Sequence, residues 1–134
     1  MTIKIDGSYG EGGGQILRTG LSLSCVTKKP IEIYNIRKGR KKPGLQPQHL
    51  TCVKAAQAIS DAEVQGAELQ SQNLVFIPQK IRAEDYLFDV GEIKGSAGSA
   101  SLVLQALLLP LFYADEPSTV TIIGGTHVPW SPPF

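Results

Sequence analysis

The sequence predicts an α+β fold of βαβαββ repeat units, with helices packed on one face of a mixed sheet and a second repeat that is truncated. Three observations carry this. Short stretches of alternating apolar residues are interleaved with longer stretches of helical period. The order strand–helix–strand–helix–strand–strand fills residues 1–80, and strand–helix–strand begins again within 81–134, which reads as a partial second repeat of the same domain. Of the 134 residues, 42% are hydrophobic and 19% charged, which supports a buried core and excludes wholesale disorder.

The elements follow in order. Ile3-Lys-Ile-Asp6 alternates as a short strand. From Gly7 to Gly14 five of eight positions are glycine, which marks a turn. Gln15 to Thr27 is helical, with Ile16, Leu17, Leu21, Leu23 and Val26 as its apolar positions, and Lys28-Lys29-Pro30 ends it. Pro30 to Ile36 alternates as a second strand, and Arg37 to Gln46 is a loop. Pro47 sits where a helix begins, and Gln48 to Ser60 packs Leu50, Val53, Ala56 and Ile59. Ala62 to Gln70 and Asn73 to Pro78 read as strands joined by Ser71-Gln72, a hairpin. Tyr86 to Val90 is a strand, Ser96 to Ala114 a helix that Pro110 kinks or ends, and Thr119 to Ile123 a strand. Ser131-Pro-Pro-Phe134 resembles a helix entry, so the chain is expected to be the front of something longer, or to associate and complete its sheet.

Residues 95–114 carry no charge, but their serines, glycines, Gln105 and Pro110 and the short apolar core from Leu102 to Leu109 predict a buried helix, not a membrane span. The first residues contain no apolar run of signal-peptide length. Cys25 and Cys52 lie in apolar helical patterns and read as reduced core thiols, which points to a cytoplasmic protein. The net charge of +1 hides an asymmetry. Residues 1–54 hold ten Lys and Arg against three Asp and Glu; residues 55–134 hold three against nine. The basic front half suggests a polyanion partner, or else a solvated basic face.

Two motifs could carry chemistry. In the first, strand, Gly10-Glu-Gly-Gly-Gly14 and helix follow one another. Gly12, Gly13 and Gly14 would let backbone N–H groups approach an anion at a helix N-terminus. The pattern is neither a Walker A sequence nor a dinucleotide fingerprint. Glu11 would repel phosphate directly, but would suit a divalent metal lying between it and phosphate. Arg18, one turn beyond Gly14, could grip the same anion or simply pair with Glu11; spacing leaves both open. In the second motif, Arg37-Lys-Gly-Arg-Lys-Lys42, five of six residues are basic, and Arg37 and Arg40 can face one side of a loop. Such a cluster fits nucleic-acid phosphates. Tyr34 is the nearest aromatic in sequence, so base stacking is not signalled. His49, beside Gln48 in a first helical turn, and His127 are the two histidines. Neither has a carboxylate at ligand spacing, so no zinc site and no catalytic triad is predicted.

Four segments in order, Gly10-Glu-Gly-Gly-Gly-Gln-Ile-Leu-Arg18, Asn35 to His49, Gly95-Ser-Ala-Gly-Ser-Ala100 running into Gln105, and Gly124-Gly-Thr-His-Val-Pro129 with Trp-Ser-Pro-Pro133, closely resemble the N-terminal part of the RNA 3′-terminal phosphate cyclase family. The resemblance implies an ATP-dependent ligase of RNA processing that converts an RNA 3′-phosphate into a 2′,3′-cyclic phosphate. A histidine takes AMP from ATP and passes it to the RNA phosphate, and the neighbouring 2′-hydroxyl then expels AMP. Magnesium or manganese would offset phosphate charge.

By resemblance, Glu11 is the metal and phosphate-site carboxylate, and Arg18 contacts the triphosphate. Arg37 and Arg40 hold the RNA terminal phosphate, with Gln48 and His49 lining the site. Gln105 and Pro129 lie near the nucleotide. The family's adenylated histidine falls in a C-terminal region that these residues do not match, and neither His49 nor His127 lies in its motif. The implied partners are ATP, RNA 3′ ends and either the complementary C-terminal half or a second copy, with no membrane. The chain alone is expected not to adenylate itself. Two other readings accompany this one: a non-catalytic cyclase-like factor of ribosome assembly, and an enolpyruvyl transferase of similar repeats, against which the basic segment argues.

Overall fold

The computed structural model describes residues 2–82, 84–89, 100–114 and 116–123. The elements are β1 (Ile3–Asp6), α1 (Gly14–Thr27), β2 (Ile31–Tyr34), α2 (Pro47–Ser60), β3 (Glu63–Gln65), β4 (Leu74–Ile77), β5 (Asp85–Asp89), α3 (Ala100–Phe112) and β6 (Thr119–Ile123). This is an α+β fold with both parallel and antiparallel pairing. Four strands form a mixed sheet in the order β1-β2-β4-β3. β1 runs parallel to β2, with Ile3 opposite Ile31, and β4 is antiparallel to both β2 and β3. β5 and β6 form a second, parallel pair, with Asp85 opposite Thr119. A parallel pair needs a crossover, and α1 and α3 supply the two.

One face of the four-stranded sheet is apolar by alternation. Ile31 and Ile33 of β2 and Leu74 and Phe76 of β4 are buried, while Glu32 and Val75 between them face the other way. Onto the buried face pack Leu17, Leu21 and Cys25 of α1 and Cys52, Val53, Ala56 and Ile59 of α2. Tyr86, Val103 and Leu107 join the same cluster, so the second strand–helix–strand shares the core of the first. Burying one such aliphatic side chain is worth about 1.5–3 kcal/mol.

Three local differences from the sequence reading have physical causes. α1 starts at Gly14, one residue earlier than predicted, because Gly13 takes the N-cap position. The hairpin forms, but β3 ends at Gln65 rather than Gln70. Gly66 at φ +83° turns the chain out of the sheet, and the following residues are spent on the basic loop: Gln70 N–H donates to Leu45 C=O at 2.7 Å and Leu45 N–H to Ser71 C=O at 2.9 Å. Pro110 lies inside α3, which ends two residues later at Phe112. Among the described residues no helix is long and apolar enough to cross a membrane. Residues 96–99 of the predicted third helix, Val90 and the last eleven positions lie outside the described residues.

Candidate functional site

The glycine-rich turn is built on β1. Asp6 ends that strand, and its carboxylate accepts from Ser8 N–H at 2.9 Å and Ser8 Oγ at 2.6 Å, bonds that hold it below the usual carboxylate range. Tyr9 N–H donates to Asp6 C=O at 3.2 Å, and Gly12 N–H to Tyr9 C=O at 3.1 Å. Gly13 is extended, with φ −98°, and offers α1 no side-chain cap. The first-turn N–H groups of α1 therefore keep their donors for another partner.

The basic loop folds back over this turn. Arg40 Nη2 donates to Glu11 C=O at 3.1 Å and lies 3.3 Å from Glu11 Oε1. A Cβ on Gly13 would come within 2.8 Å of the same Nη2, so glycine there admits the guanidinium. Arg37 sits at φ +51°, and its Nη1 donates to Lys42 C=O at 2.5 Å and Gly44 C=O at 3.0 Å, stapling the loop shut. The loop is also tied to β4's approach by Ile36 N–H on Gln72 C=O at 3.0 Å.

α2 contributes from below. Pro47 occupies its first turn, and His49 at the third position returns a hydrogen bond to the cap: His49 Nδ1 accepts from Gln46 N–H at 3.0 Å. The imidazole is only 2% exposed. Burial first, and then the charges of Arg37 and Arg18, lower its pKa to about 4. It is neutral at pH 7, and with Nδ1 accepting, the proton sits on Nε2. Nε2 faces Gly14.

Arg18 completes the set. Its Nη2 donates to Gln15 Oε1 at 3.2 Å, and its Nε is buried without a hydrogen-bond partner among the described residues. Burial lowers its pKa, and the charge interaction with Cys52 opposes that shift. The open choice between Arg18 gripping an anion and Arg18 pairing with Glu11 narrows here. Arg40, not Arg18, makes the ion pair with Glu11.

These groups line one cleft of about 500 Å³ that holds Glu11, Gly12, Gly13, Gly14, Arg18, Arg37, Arg40, Gln48 and His49 together. Gln105 stands apart from it. It lies with Gln15, Arg18 and Thr19 in an adjoining pocket of about 220 Å³ between α1 and α3. Pro129 and His127 lie outside the described residues. The sequence reading missed Tyr9, Gln15 and Leu102, which also line the cleft. A tyrosine within a glycine turn was the available signal for the first. Among the described residues no group of three or more His, Cys, Asp or Glu could hold a metal, so the Glu11 carboxylate would not hold one unaided. The arrangement has N–H donors and guanidinium groups converging on one opening, with a single carboxylate at its rim. That is a phosphate-binding chemistry.

The family model for RNA 3′-terminal phosphate cyclase matches residues 9–134. Proteins named RNA 3′-terminal phosphate cyclase from Gloeothece citriformis, Methylococcus capsulatus and Archaeoglobus fulgidus are 59%, 58% and 53% identical to it, each over 98% of this chain. The chain spans 39%, 37% and 39% of their respective lengths. It belongs to the RNA 3′-terminal phosphate cyclase family.

Proposed function

We propose that this chain supplies the phosphate-binding part of an ATP-dependent site that converts an RNA 3′-phosphate into a 2′,3′-cyclic phosphate. One observation carries the reading: the uncapped start of α1, Arg18, Arg40 and the Nε2 face of His49 converge on a single cleft. On this reading the ATP triphosphate lies against the α1 N-terminus, where Arg18 Nε and His49 Nε2–H donate to it. Arg37 and Arg40 hold the RNA terminal phosphate. The Glu11 carboxylate, a hard oxygen donor, would help to hold magnesium or manganese beside the bound phosphates. The metal would offset phosphate charge.

The chemistry requires a leaving group, because a phosphomonoester is a poor electrophile. Transfer of AMP to the RNA phosphate supplies one. The adjacent 2′-hydroxyl then attacks that phosphorus, loses its proton and expels AMP, closing the ring intramolecularly. His49 is unsuited to carry AMP. It is buried, its Nδ1 is engaged and its Nε2 bears the proton. As the family resemblance implies, the AMP-carrying histidine would come from other polypeptide, and on this reading the chain binds without adenylating itself. Reduced Cys25 and Cys52 suit a cytoplasmic setting.

The test is equilibrium binding of Mg-ATP and of single-stranded RNA ending in 3′-phosphate or 3′-hydroxyl. Arg18→Ala should weaken ATP binding, and Arg40→Ala should weaken RNA binding and erase the preference for a 3′-phosphate. Mixing with the C-terminal part of the Gloeothece citriformis relative should give labelled protein from radioactive ATP, and cyclic RNA ends. If the chain binds neither ligand, the assignment fails.

A further inference from the structure

The glycine turn carries one large aromatic side chain that packing does not explain. Tyr9 is 79% exposed, yet its backbone is fixed at both ends by the bonds to Asp6 and Gly12. Neighbouring Gly10 sits at φ +62°, a left-handed turn position that glycine favours. Exposure alone is ordinary for a tyrosine; what sets Tyr9 apart is where it stands. The same tyrosine lines the cleft with Arg37 and Arg40, and it is absent from the adjoining pocket that holds Gln105. The phosphate-holding arginines are thus paired with an aromatic that lies distant in sequence but shares their cleft.

We infer that Tyr9 is the stacking platform for the 3′-terminal base of the bound RNA. The inference rests on the RNA-binding reading above and extends it to the base. A nucleotide whose 3′-phosphate is held by Arg40 carries its base one ribose away, and Tyr9 lines the same cleft as Arg40. Every base has a π face, so such a platform takes RNA ends of any sequence, as an end-processing site requires. It also orients the terminal ribose, and with it the 2′-hydroxyl, through its glycosidic bond.

The experiment uses the whole chain and a short single-stranded RNA with a 3′-phosphate and 2-aminopurine as its terminal base. Binding should quench the 2-aminopurine. Tyr9→Ala should abolish the quench and weaken binding by about 5- to 100-fold, and Tyr9→Trp should keep both. An RNA with an abasic terminal nucleotide should bind the native chain as weakly as Tyr9→Ala binds the intact RNA, and Tyr9→Ala should add no further loss. Circular dichroism checks that Tyr9→Ala remains folded. If RNA binds with Arg40 dependence but ignores Tyr9→Ala and the abasic end, the platform is overturned and the RNA reading survives. If Tyr9→Ala weakens Mg-ATP binding instead, the ring serves adenine and the inference is wrong. If the native chain binds no RNA at all, both fall.

Discussion

Gly14 and His49 exclude any side chain between them: a Cβ on Gly14 would lie 2.7 Å from His49 Nε2 and 2.9 Å from Arg18 Nη1. The first residue of α1 and the first turn of α2 are thus locked by the absence of one carbon atom. Two effects compete in Gly14→Ala. Alanine gains about 1 kcal/mol of helix propensity. Against that, His49 is buried and bonded to Gln46, so it cannot swing away as the tip of Arg18 can. Overpacking of this kind costs about 1–3 kcal/mol. The clash should win. Gly14→Ala is expected to lower unfolding free energy by up to about 2 kcal/mol in urea titrations and to displace Arg18 from the cleft, weakening ATP binding. Unchanged stability with unchanged binding would show that the contact yields freely.

His49 also sets a pH dependence. Its pKa falls from 6.5 to about 4 on folding, so between those values the unfolded chain binds more protons than the folded one. Stability therefore rises with pH across this window and is lost as pH falls from 6.5 toward 4. The full effect is up to about 3 kcal/mol. His49→Asn keeps an acceptor near Nδ1 and removes the titration. Urea midpoints measured from pH 7 to pH 4 should fall less steeply in His49→Asn than in the native chain; parallel curves would refute a buried neutral imidazole.

Most of the fold was legible because periodicity reports burial. Ile31 and Ile33 alternate, and Leu17, Leu21 and Cys25 recur at helical spacing, for the same reason that they are buried. β3 was over-extended because Gly66 acts through a single dihedral that alternation cannot see. Of the site, Glu11, Arg18, Arg37, Arg40, Gln48 and His49 were readable as residues, and the structure brings them together in one cleft. Their pairing was not readable. That Arg40 rather than Arg18 meets Glu11 depends on a loop returning across a sequence separation of 29 residues. Tyr9 stood in view within the glycine turn, but its sharing of a cleft with Arg40 was not readable, because the nearest aromatic to the basic cluster in sequence is Tyr34.

Cys25 and Cys52 should be inert in the folded chain. Burial pushes both thiols up to about 11, against the opposing bond from Ser60 in the first case and the charge of Arg18 in the second. Thiol titration at pH 8 is expected to give no rapid labelling until denaturant is added, and then both groups together. Rapid labelling of Cys52 alone in native buffer would mean that α2 opens locally near Arg18, whose charge Cys52 feels.

Arg37 and Arg40 carry the same charge but should fail differently when removed. Arg40 is held by an exposed ion pair with Glu11, whose side chain is 90% exposed, and such pairs contribute about 0–1 kcal/mol. Arg37 donates to two loop carbonyls, and losing those bonds costs about 1–2 kcal/mol. Arg40→Ala should leave the thermal midpoint nearly unchanged and reduce the slope of log binding constant against log salt by roughly 0.7 for single-stranded RNA. Arg37→Ala should lower the thermal midpoint by a few degrees and weaken RNA binding as the loop loosens. Calorimetry and salt titrations read the two effects separately. If Arg40→Ala leaves the salt slope as it was, Arg40 serves the turn and not an RNA phosphate.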